Sequence, residues 1–277
     1  MAFKDSTVAF IGSGVMAEAM IRGLLDKDLL TGDQIVAADP RRDRGLELVA
    51  RYNLNYTPDN AEAARQADIL VLSTKPQVMG QVAHSLAEST GKAALVLSIL
   101  AGVRIQTIAD GLGTTAVVRA MPNTPAQIGQ GITVWTATES VPEKGREQAR
   151  VLLGALGDEI FLEDEKFLDM ATALSGSGPA YVFLFMEALI DVGVHMGFSR
   201  RDAEKLVTQT MRGSVEYAMH SNLHPASLRN QVTSPGGTSA AALYELEKGG
   251  LRTVLADGVW AAYRRSVELG EAQDGKK

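Results

Sequence analysis

The first half of the chain alternates short apolar runs, rich in Val, Ile and Leu, with stretches whose apolar residues recur every three or four positions. The runs predict strands at residues 7–11, 34–39, 69–73, 94–99, 117–121, 131–136 and 159–162. Between them the helical period predicts helices over 15–25, 42–52, 77–88 and 143–156, with a short one from residue 61. Strands that alternate with helices argue a parallel sheet and an α/β domain.

From about residue 166 the strand pattern stops, and only helical segments follow, over 167–173, 179–196, 200–220, 225–232, 239–248 and 251–269. This shift places a domain boundary between an α/β domain over 1–165 and an all-α domain over 166–277. Pro179 suits a first helical turn, Ser199 with Asp202 has capping-box spacing, and Gly249 and Gly270 suit helix ends. The stretch AYVFLFMEALIDVGVHMGF is apolar over more than one stripe, so it needs cover on more than one side, part of it from another subunit. The closing EAQDGKK reads as a frayed tail.

With 277 residues and 45% hydrophobic content the chain can bury a sizeable core. A net charge of −6 gives no electrostatic reason for nucleic acid or an anionic membrane as partner, which leaves a small molecule. The absence of cysteine excludes disulfides, thiolate metal sites and a thiol nucleophile, and fits a cytoplasmic protein. The first residues lack the basic start and cleavage site of a secretory signal. The apolar run 93–103 is too short to cross a bilayer, and 179–198 carries Glu187 and Asp191, so a soluble chain is expected.

Directly after the first strand come Gly12, Ser13, Gly14, Val15, Met16 and Ala17, a G-x-G-x-x-A between strand and helix. The first glycine permits a tight turn, the second lets backbone N–H groups approach a pyrophosphate, and the small third residue allows close helix–strand packing. The same spacing also suits an ordinary strand-to-helix turn. An acid about 20 residues on would accept hydrogen bonds from the ribose of NADH, and Asp39 is so placed. Arg41 and Arg42 follow at once, and a guanidinium there would hold the 2′-phosphate of NADPH, which tips the reading slightly toward NADPH. Asn60 is a helix cap, a cofactor contact or both. Ser73, Thr74, Lys75 and Pro76 end one strand, and Ile99, Leu100 and Ala101 end the next, at the sheet edge where α/β proteins bind ligands. Arg119 to Pro125 encloses Asn123 and Thr124 between prolines, a stiff loop rich in hydrogen-bonding groups in which Asn123 is a candidate cofactor contact and a plain turn is the alternative.

In the second domain Ser175, with Gly176, Ser177, Gly178 and Pro179, precedes one helix. Ser234, Pro235, Gly236, Gly237, Thr238 and Ser239 precede another. Each offers backbone N–H groups and hydroxyls at a helix start, a seat for a small carboxylate or, alone, a plain N-cap and turn. His84, His195, His220 and His224 form no convincing metal set, and no metal is expected. No G-x-S-x-G elbow is present, which argues against a triad hydrolase. The run Glu163, Asp164, Glu165 reads as a solvated linker face.

The segments FIGSGVMAEAM, STKP, VVRAMPNTPA, LSGSGPAYVFLFMEAL and VTSPGGTSAAALYELEKGGLR together resemble the pyrroline-5-carboxylate reductases from end to end. LSGSGPAY and SPGGT behind an N-terminal dinucleotide loop are the specific part. The resemblance implies a Rossmann-type N-terminal domain for NADP, or NAD, and a helical C-terminal domain that builds a homodimer and, in many members, a decamer of five dimers. It implies hydride transfer to the cyclic imine 1-pyrroline-5-carboxylate, giving L-proline in the last step of proline biosynthesis. By motif position, Gly12 to Ala17, Asn60, Ser73 to Pro76 and Ile99 to Ala101 would contact the cofactor, Ser234 to Ser239 would hold the substrate, and Glu165 falls where some relatives touch the cofactor. The family loop usually ends in threonine where this chain has Ser239, and often has asparagine where it has Gln231. Ser239 keeps the hydroxyl, so it or Thr238 can hydrogen-bond the ring nitrogen, although an alcohol is too weak an acid to protonate it fully.

Two other readings stay open. One is a hydroxyacid or imine reductase of the same plan, for which Lys205 is the only mid-domain lysine. The other is a dinucleotide-binding redox sensor, which would leave both Gly-rich loops of the second domain without a role.

Overall fold

In the computed structural model, which describes residues 3–4, 6–86, 89–90, 93 and 95–274, strand β1 (Val8–Ile11) is buried along its whole length. A strand apolar on both faces needs cover on both, and its side chains divide accordingly. Val8 and Phe10 join a core cluster with Met20, Ile21 and Leu24 of α1 (Val15–Asp26) and Leu152 and Leu153 of α6 (Glu143–Gly154). Ala9 and Ile11 point the other way, into a second cluster. That cluster holds Ala63 and Ala64 of α3 (Asn60–Gln66), Val82 and Leu86 of α4 (Met79–Leu86), and Ile108 and Leu112 of α5 (Ile105–Leu112).

The remaining strands are β2 (Ile35–Ala38), β3 (Asn55–Thr57), β4 (Ile69–Leu72), β5 (Leu95–Ser98), β6 (Val117–Met121), β7 (Gly131–Ala137) and β8 (Gly157–Phe161), with α2 (Arg42–Tyr52) between β2 and β3. Their order is β3-β2-β1-β4-β5-β6-β7-β8. The chain runs outward from β1 in one direction through β2 and β3, then returns to its other side at β4. The reversal leaves a crevice beyond the carboxyl ends of β1 and β4.

The sheet is not parallel throughout: β7 runs antiparallel to β6, and β8 is parallel to β7. The connection over residues 122–130 is shorter than the roughly dozen residues that a parallel crossover needs, so the chain must fold back. Two elements escape the sequence pattern. β3 has three residues at the sheet edge, too few to show alternation. α5 has eight residues directly behind the apolar run 93–103, which masks its own periodicity. The predicted helix end at residue 88 and strand start at residue 94 lie outside the described residues.

After β8, α7 (Lys166–Ala171) runs into a π-helical turn (Thr172–Gly176), so the Gly-Ser-rich segment predicted as a loop is itself helical. Then follow α8 (Gly178–His195), α9 (Arg200–Met219), α10 (Pro225–Gln231), α11 (Thr238–Lys248) and α12 (Leu251–Asp274). α12 passes through Gly270 to Asp274, where the sequence reading placed a helix end and a frayed tail. Two contacts hold it: the Ser266 hydroxyl donates to Asp169 at 2.9 Å, and Leu269 and Gly270 pack over Gly102. By compactness the chain divides into residues 1–177 with 262–277, and residues 178–261.

Within residues 178–261, Ser199 caps α9 as its spacing predicts, accepting the Asp202 N–H at 3.1 Å. α8 and α9 approach at Gly193, where an added Cβ would meet that of Ala203 at 3.1 Å. Ala203 is the one buried residue of this unit, while Phe183, Leu184 and Val192 of α8 and Met196 just beyond it are all exposed. Among the described residues one helical stretch, Lys166–His195, is long and apolar enough to cross a membrane by length and composition, and its apolar window is entirely unburied. An exposed apolar surface of this kind marks an interaction site in a folded protein.

Trp135 of β7 anchors the other unit: it is fully buried, donates its indole N–H to Glu159, and meets the Phe161 ring edge-on with centroids 4.7 Å apart. Trp135→Ala is expected to cost about 3–5 kcal/mol in urea unfolding; a loss below about 1 kcal/mol would contradict this role.

Candidate functional site

At the crevice between β1 and β4 lies a cleft of about 760 Å³, lined by Gly12 to Met16, Asp39 to Arg41, Asn60, Ser73 to Lys75 and one face of α4 with the turn before it. Backbone bonds fix its floor. The Gly12 N–H donates to Ala38 O at 2.8 Å, the Ser73 N–H to Ile11 O at 2.9 Å, and the Ser73 hydroxyl to Gly12 O at 2.7 Å.

Gly12 has φ +90°, and an added Cβ would lie 2.6 Å from Thr74 Cγ2 and 2.9 Å from the Thr74 backbone. Only glycine fits both the conformation and the space. Gly14 is different: its φ of −71° is ordinary, and nothing lies within 4 Å of an added Cβ. It opens onto the cleft as N-cap of α1, with no side chain capping the helix. The first-turn N–H groups of Val15, Met16 and Ala17 and the positive end of the helix dipole therefore face a ligand space. Thr74 Oγ1 is buried without a hydrogen-bond partner, a cost normally relieved by a ligand or water. Open glycine, uncapped helix and unpartnered hydroxyl together fit a dinucleotide pyrophosphate.

Asp39 closes one side. Its Oδ2 accepts the Ser13 N–H at 3.1 Å, and its Oδ1 accepts the Arg41 backbone N–H at 3.0 Å and Nε at 3.2 Å. Burial alone would raise the Asp39 carboxyl, but hydrogen bonds and charge from Arg41 and the Ser13 N–H outweigh it and hold it below the usual aspartate range. Arg41 stands at the mouth with 61% of its side chain exposed, and Arg42 is exposed but outside the lining. Asn60 lines the cleft without acting as the cap of α3. That cap is Asp59, which accepts the Ala61 N–H at 2.8 Å, while Asn60 Nδ2 donates to Ser85 Oγ at 3.4 Å.

Val78, Gln81, Val82 and Ser85, which also line the cleft, escaped the sequence reading. Their i, i+3, i+4, i+7 spacing marks a single helix face, so the signal was present, but only the sheet places that face over the glycine loop. Pro76 starts a 3₁₀ turn beside the lining. Ile99, Leu100 and Ala101 lie outside it: the Ile99 N–H donates to Leu72 O at 3.0 Å, Leu100 is buried, and Ala101 is exposed. Asn123 also lies outside, bridging two backbone groups; its Oδ1 accepts the Ile132 N–H at 3.1 Å and its Nδ2 donates to Ser175 O at 3.2 Å. The Ser175 hydroxyl donates to Ala171 O at 2.9 Å within the π-helical turn.

Glu165 corrects the expectation of a solvated acidic face. Its Oε1 accepts the Ile105 N–H at 2.8 Å and Arg119 Nη1 at 2.7 Å, and Arg119 is buried. The acid caps α5 and neutralises a core cation, which the sequence hides because the partners lie 60 and 46 residues away.

In the helical unit, Ser234 to Gly237 form a tight turn: the Gly237 N–H donates to Ser234 O at 3.0 Å, and Gly236 has φ +69°. Gly237 is the N-cap of α11 and no side chain caps that helix, so the Thr238 and Ser239 N–H groups are presented at its start. The Tyr217 hydroxyl donates to Gln231 Oε1 at 3.2 Å ahead of the turn. His224 caps α10, accepting the Ala226 N–H at 3.2 Å, and His220 Nδ1 lies 2.8 Å from Glu216 O.

Residues 165–269 match the family described as pyrroline-5-carboxylate reductase dimerisation, and residues 7–102 match that described as NADP oxidoreductase, coenzyme F420-dependent. A pyrroline-5-carboxylate reductase of Synechocystis is 42% identical over 264 residues, covering 95% of this chain and 98% of that protein. Among solved structures, a Plasmodium falciparum pyrroline carboxylate reductase with NADP bound matches with a TM-score of 0.88 at 32% identity, over 97% of this chain and 99% of that one. A pyrroline-5-carboxylate reductase from Coxiella burnetii matches with a TM-score of 0.88 at 34% identity, over 96% and 99%.

Behind the glycine loop, Glu18 accepts from Arg44, from Arg51 at 2.6 Å and from the Tyr52 hydroxyl at 2.8 Å. Burial would raise its carboxyl, but the hydrogen bonds of Arg44 and Tyr52 and the two guanidinium charges hold it below the ordinary 4.5. A carboxylate lowered on folding stabilises above its unfolded value and loses that contribution as pH falls through the folded one. The advantage of the wild type over Glu18→Gln in thermal midpoint should therefore be full at pH 7 and shrink below 4.5. A pH-independent difference would contradict the ion-pair account.

Proposed function

The chain belongs to the pyrroline-5-carboxylate reductase family, and we propose that it reduces 1-pyrroline-5-carboxylate to L-proline with NADPH, the last step of proline biosynthesis. The observation that carries the nucleotide half of this reading is the uncapped first turn of α1 behind Gly12, with the unpartnered Thr74 hydroxyl beside it. Gly14 to Ala17 would receive the pyrophosphate on their N–H groups, and Asn60, Ser73, Thr74, Lys75 and Pro76 would flank it. Ile99, Leu100 and Ala101 would contact the cofactor by motif position, and Asn123 stays a candidate contact beside them.

NADPH is favoured over NADH on the state of Asp39. Both of its oxygens already accept hydrogen bonds, while Arg41 beside it is exposed and suits a 2′-phosphate. The relative bound to NADP is consistent with this choice.

When bound, the reduced nicotinamide supplies a hydride to the imine carbon. The protein's residues have to orient, anchor and polarise the substrate. The turn Ser234, Gly236, Gly237 and the Thr238 and Ser239 N–H groups would anchor its carboxylate, where the dipole of α11 favours an anion. The hydroxyl of Ser239, or of Thr238, would hydrogen-bond the ring nitrogen, as acceptor from an iminium N–H or donor to a neutral imine. Ser175 stiffens the π-helical turn ahead of α8.

Residues 166–277 then form the substrate-binding and dimerisation domain, consistent with the single buried residue in 178–261. A homodimer is the smallest assembly that covers this surface, and five dimers would make the decamer that the resemblance implies. The cytoplasm suits a biosynthetic enzyme without cysteine.

The test is to supply 1-pyrroline-5-carboxylate with NADPH or NADH and follow loss of the reduced nicotinamide's absorbance. Rapid oxidation, faster with NADPH, is expected, and no oxidation of either nucleotide would overturn the assignment. Ser239→Ala should fold, keep its nucleotide affinity and lose about tenfold or more in turnover; unchanged kinetics would remove Ser239 from the site.

A further inference from the structure

The glycine loop is clamped from outside the cleft by a residue that no motif marks. Arg44, near the start of α2, donates Nε to the carbonyl of Ser13 at 2.9 Å. Its Nη1 donates to Glu47 at 2.8 Å and its Nη2 to Glu18. All three nitrogens are engaged, and only 13% of the side chain is exposed. Three engaged nitrogens leave the guanidinium little freedom to turn; Glu18 also accepts from Arg51 and Tyr52.

We propose that Arg44 is a positioning residue of the nucleotide site, which holds the Ser13 carbonyl away from the cleft and so turns the Gly14 N–H toward it. A trans peptide is planar, with its C=O and N–H directed oppositely. Fixing the Ser13 carbonyl on Arg44 therefore fixes the direction of the Gly14 N–H. That N–H has no acceptor among the described residues, and the space beside Gly14 is open to 4 Å. The rest of Ser13 is pinned as well: its N–H donates to Asp39 and its hydroxyl to Ala38 O at 3.3 Å. Without Arg44 the Ser13–Gly14 peptide would be the one unrestrained unit of the loop, free to rotate and offer an anion a carbonyl oxygen. A planar fork makes all three bonds at once, and a lysine cannot.

The inference rests on the nucleotide half of the proposed function and not on the identity of the substrate. Its test is the Kd of NADP+ by titration calorimetry on the intact protein. Arg44→Met and Arg44→Lys should each weaken binding about tenfold, the scale of one orienting hydrogen bond. Arg51→Met, which strips the other guanidinium from Glu18 and Glu47 but leaves Ser13 alone, should stay within about twofold. In steady state Arg44→Met should raise the KM for NADPH, with kcat at saturating nucleotide and the KM for 1-pyrroline-5-carboxylate within about twofold.

Recovery by Arg44→Lys would show that charge alone acts on the phosphates and would overturn the proposal. So would an unchanged Kd in Arg44→Met, or an equal loss in Arg51→Met, which would mark a general packing effect. If Arg44→Met does not fold, Arg44→Lys against Arg51→Met decides the question. A wild type that binds NADP+ but turns over no 1-pyrroline-5-carboxylate would sink the substrate assignment and leave this comparison standing. A wild type that binds no NADP+ would sink both.

Discussion

At Gly12 the chain leaves the central strand with φ +90° while the Thr74 backbone occupies the space any Cβ would need. That contact is where β1 and β4, neighbours in the sheet but far apart in sequence, are locked together at their carboxyl ends. The topology depends on it, because the sheet reverses its direction of growth at this pair of strands. The site depends on it too. A wider turn would swing the start of α1 away from the crevice and separate its free N–H groups from Thr74 and Asp39. Fold and ligand space are thus set by one close approach, and the Ser73 and Arg44 hydrogen bonds secure the loop on either side of it.

The two compact units are in different physical states. The first has core on both faces of its sheet, buried polar groups that nearly all find partners, and a cleft whose geometry exists without ligand. The second buries Ala203 and little else, and carries its candidate anion seat on an exposed turn. A single chain therefore holds a preformed cleft and an unfinished helical surface. Association would supply the missing burial.

Much of this was legible in the sequence because its causes are local. The apolar run ending at Ile11 followed by Gly-Ser-Gly specifies strand, turn and helix within about ten residues. The uncapped start of α11 follows from Gly-Gly ahead of Thr238, and the cap of α9 from Ser199 and Asp202. What escaped depends on distant partners. Glu165 reads as one acid among three until Arg119 and the Ile105 N–H are brought to it. Asn123 reads as a ligand contact, yet its amide ties Ile132 to Ser175. The face of α4 over the cleft, and Arg44 behind the loop, have the right residue types but no local reason to be singled out. The end of α12 looked like a tail because its polar residues are judged against solvent, whereas Ser266 and Gly270 are held against Asp169 and Gly102.

If the start of α1 is a preorganised pyrophosphate seat, a crystal structure with NADPH bound should show the pyrophosphate oxygens within hydrogen-bond reach of N–H groups between Gly14 and Ala17, the Thr74 hydroxyl partnered, and Gly12 and Ser13 unmoved from their positions in the free protein. A nucleotide bound elsewhere, or a glycine loop that must rebuild itself to receive it, would rule out a preorganised seat.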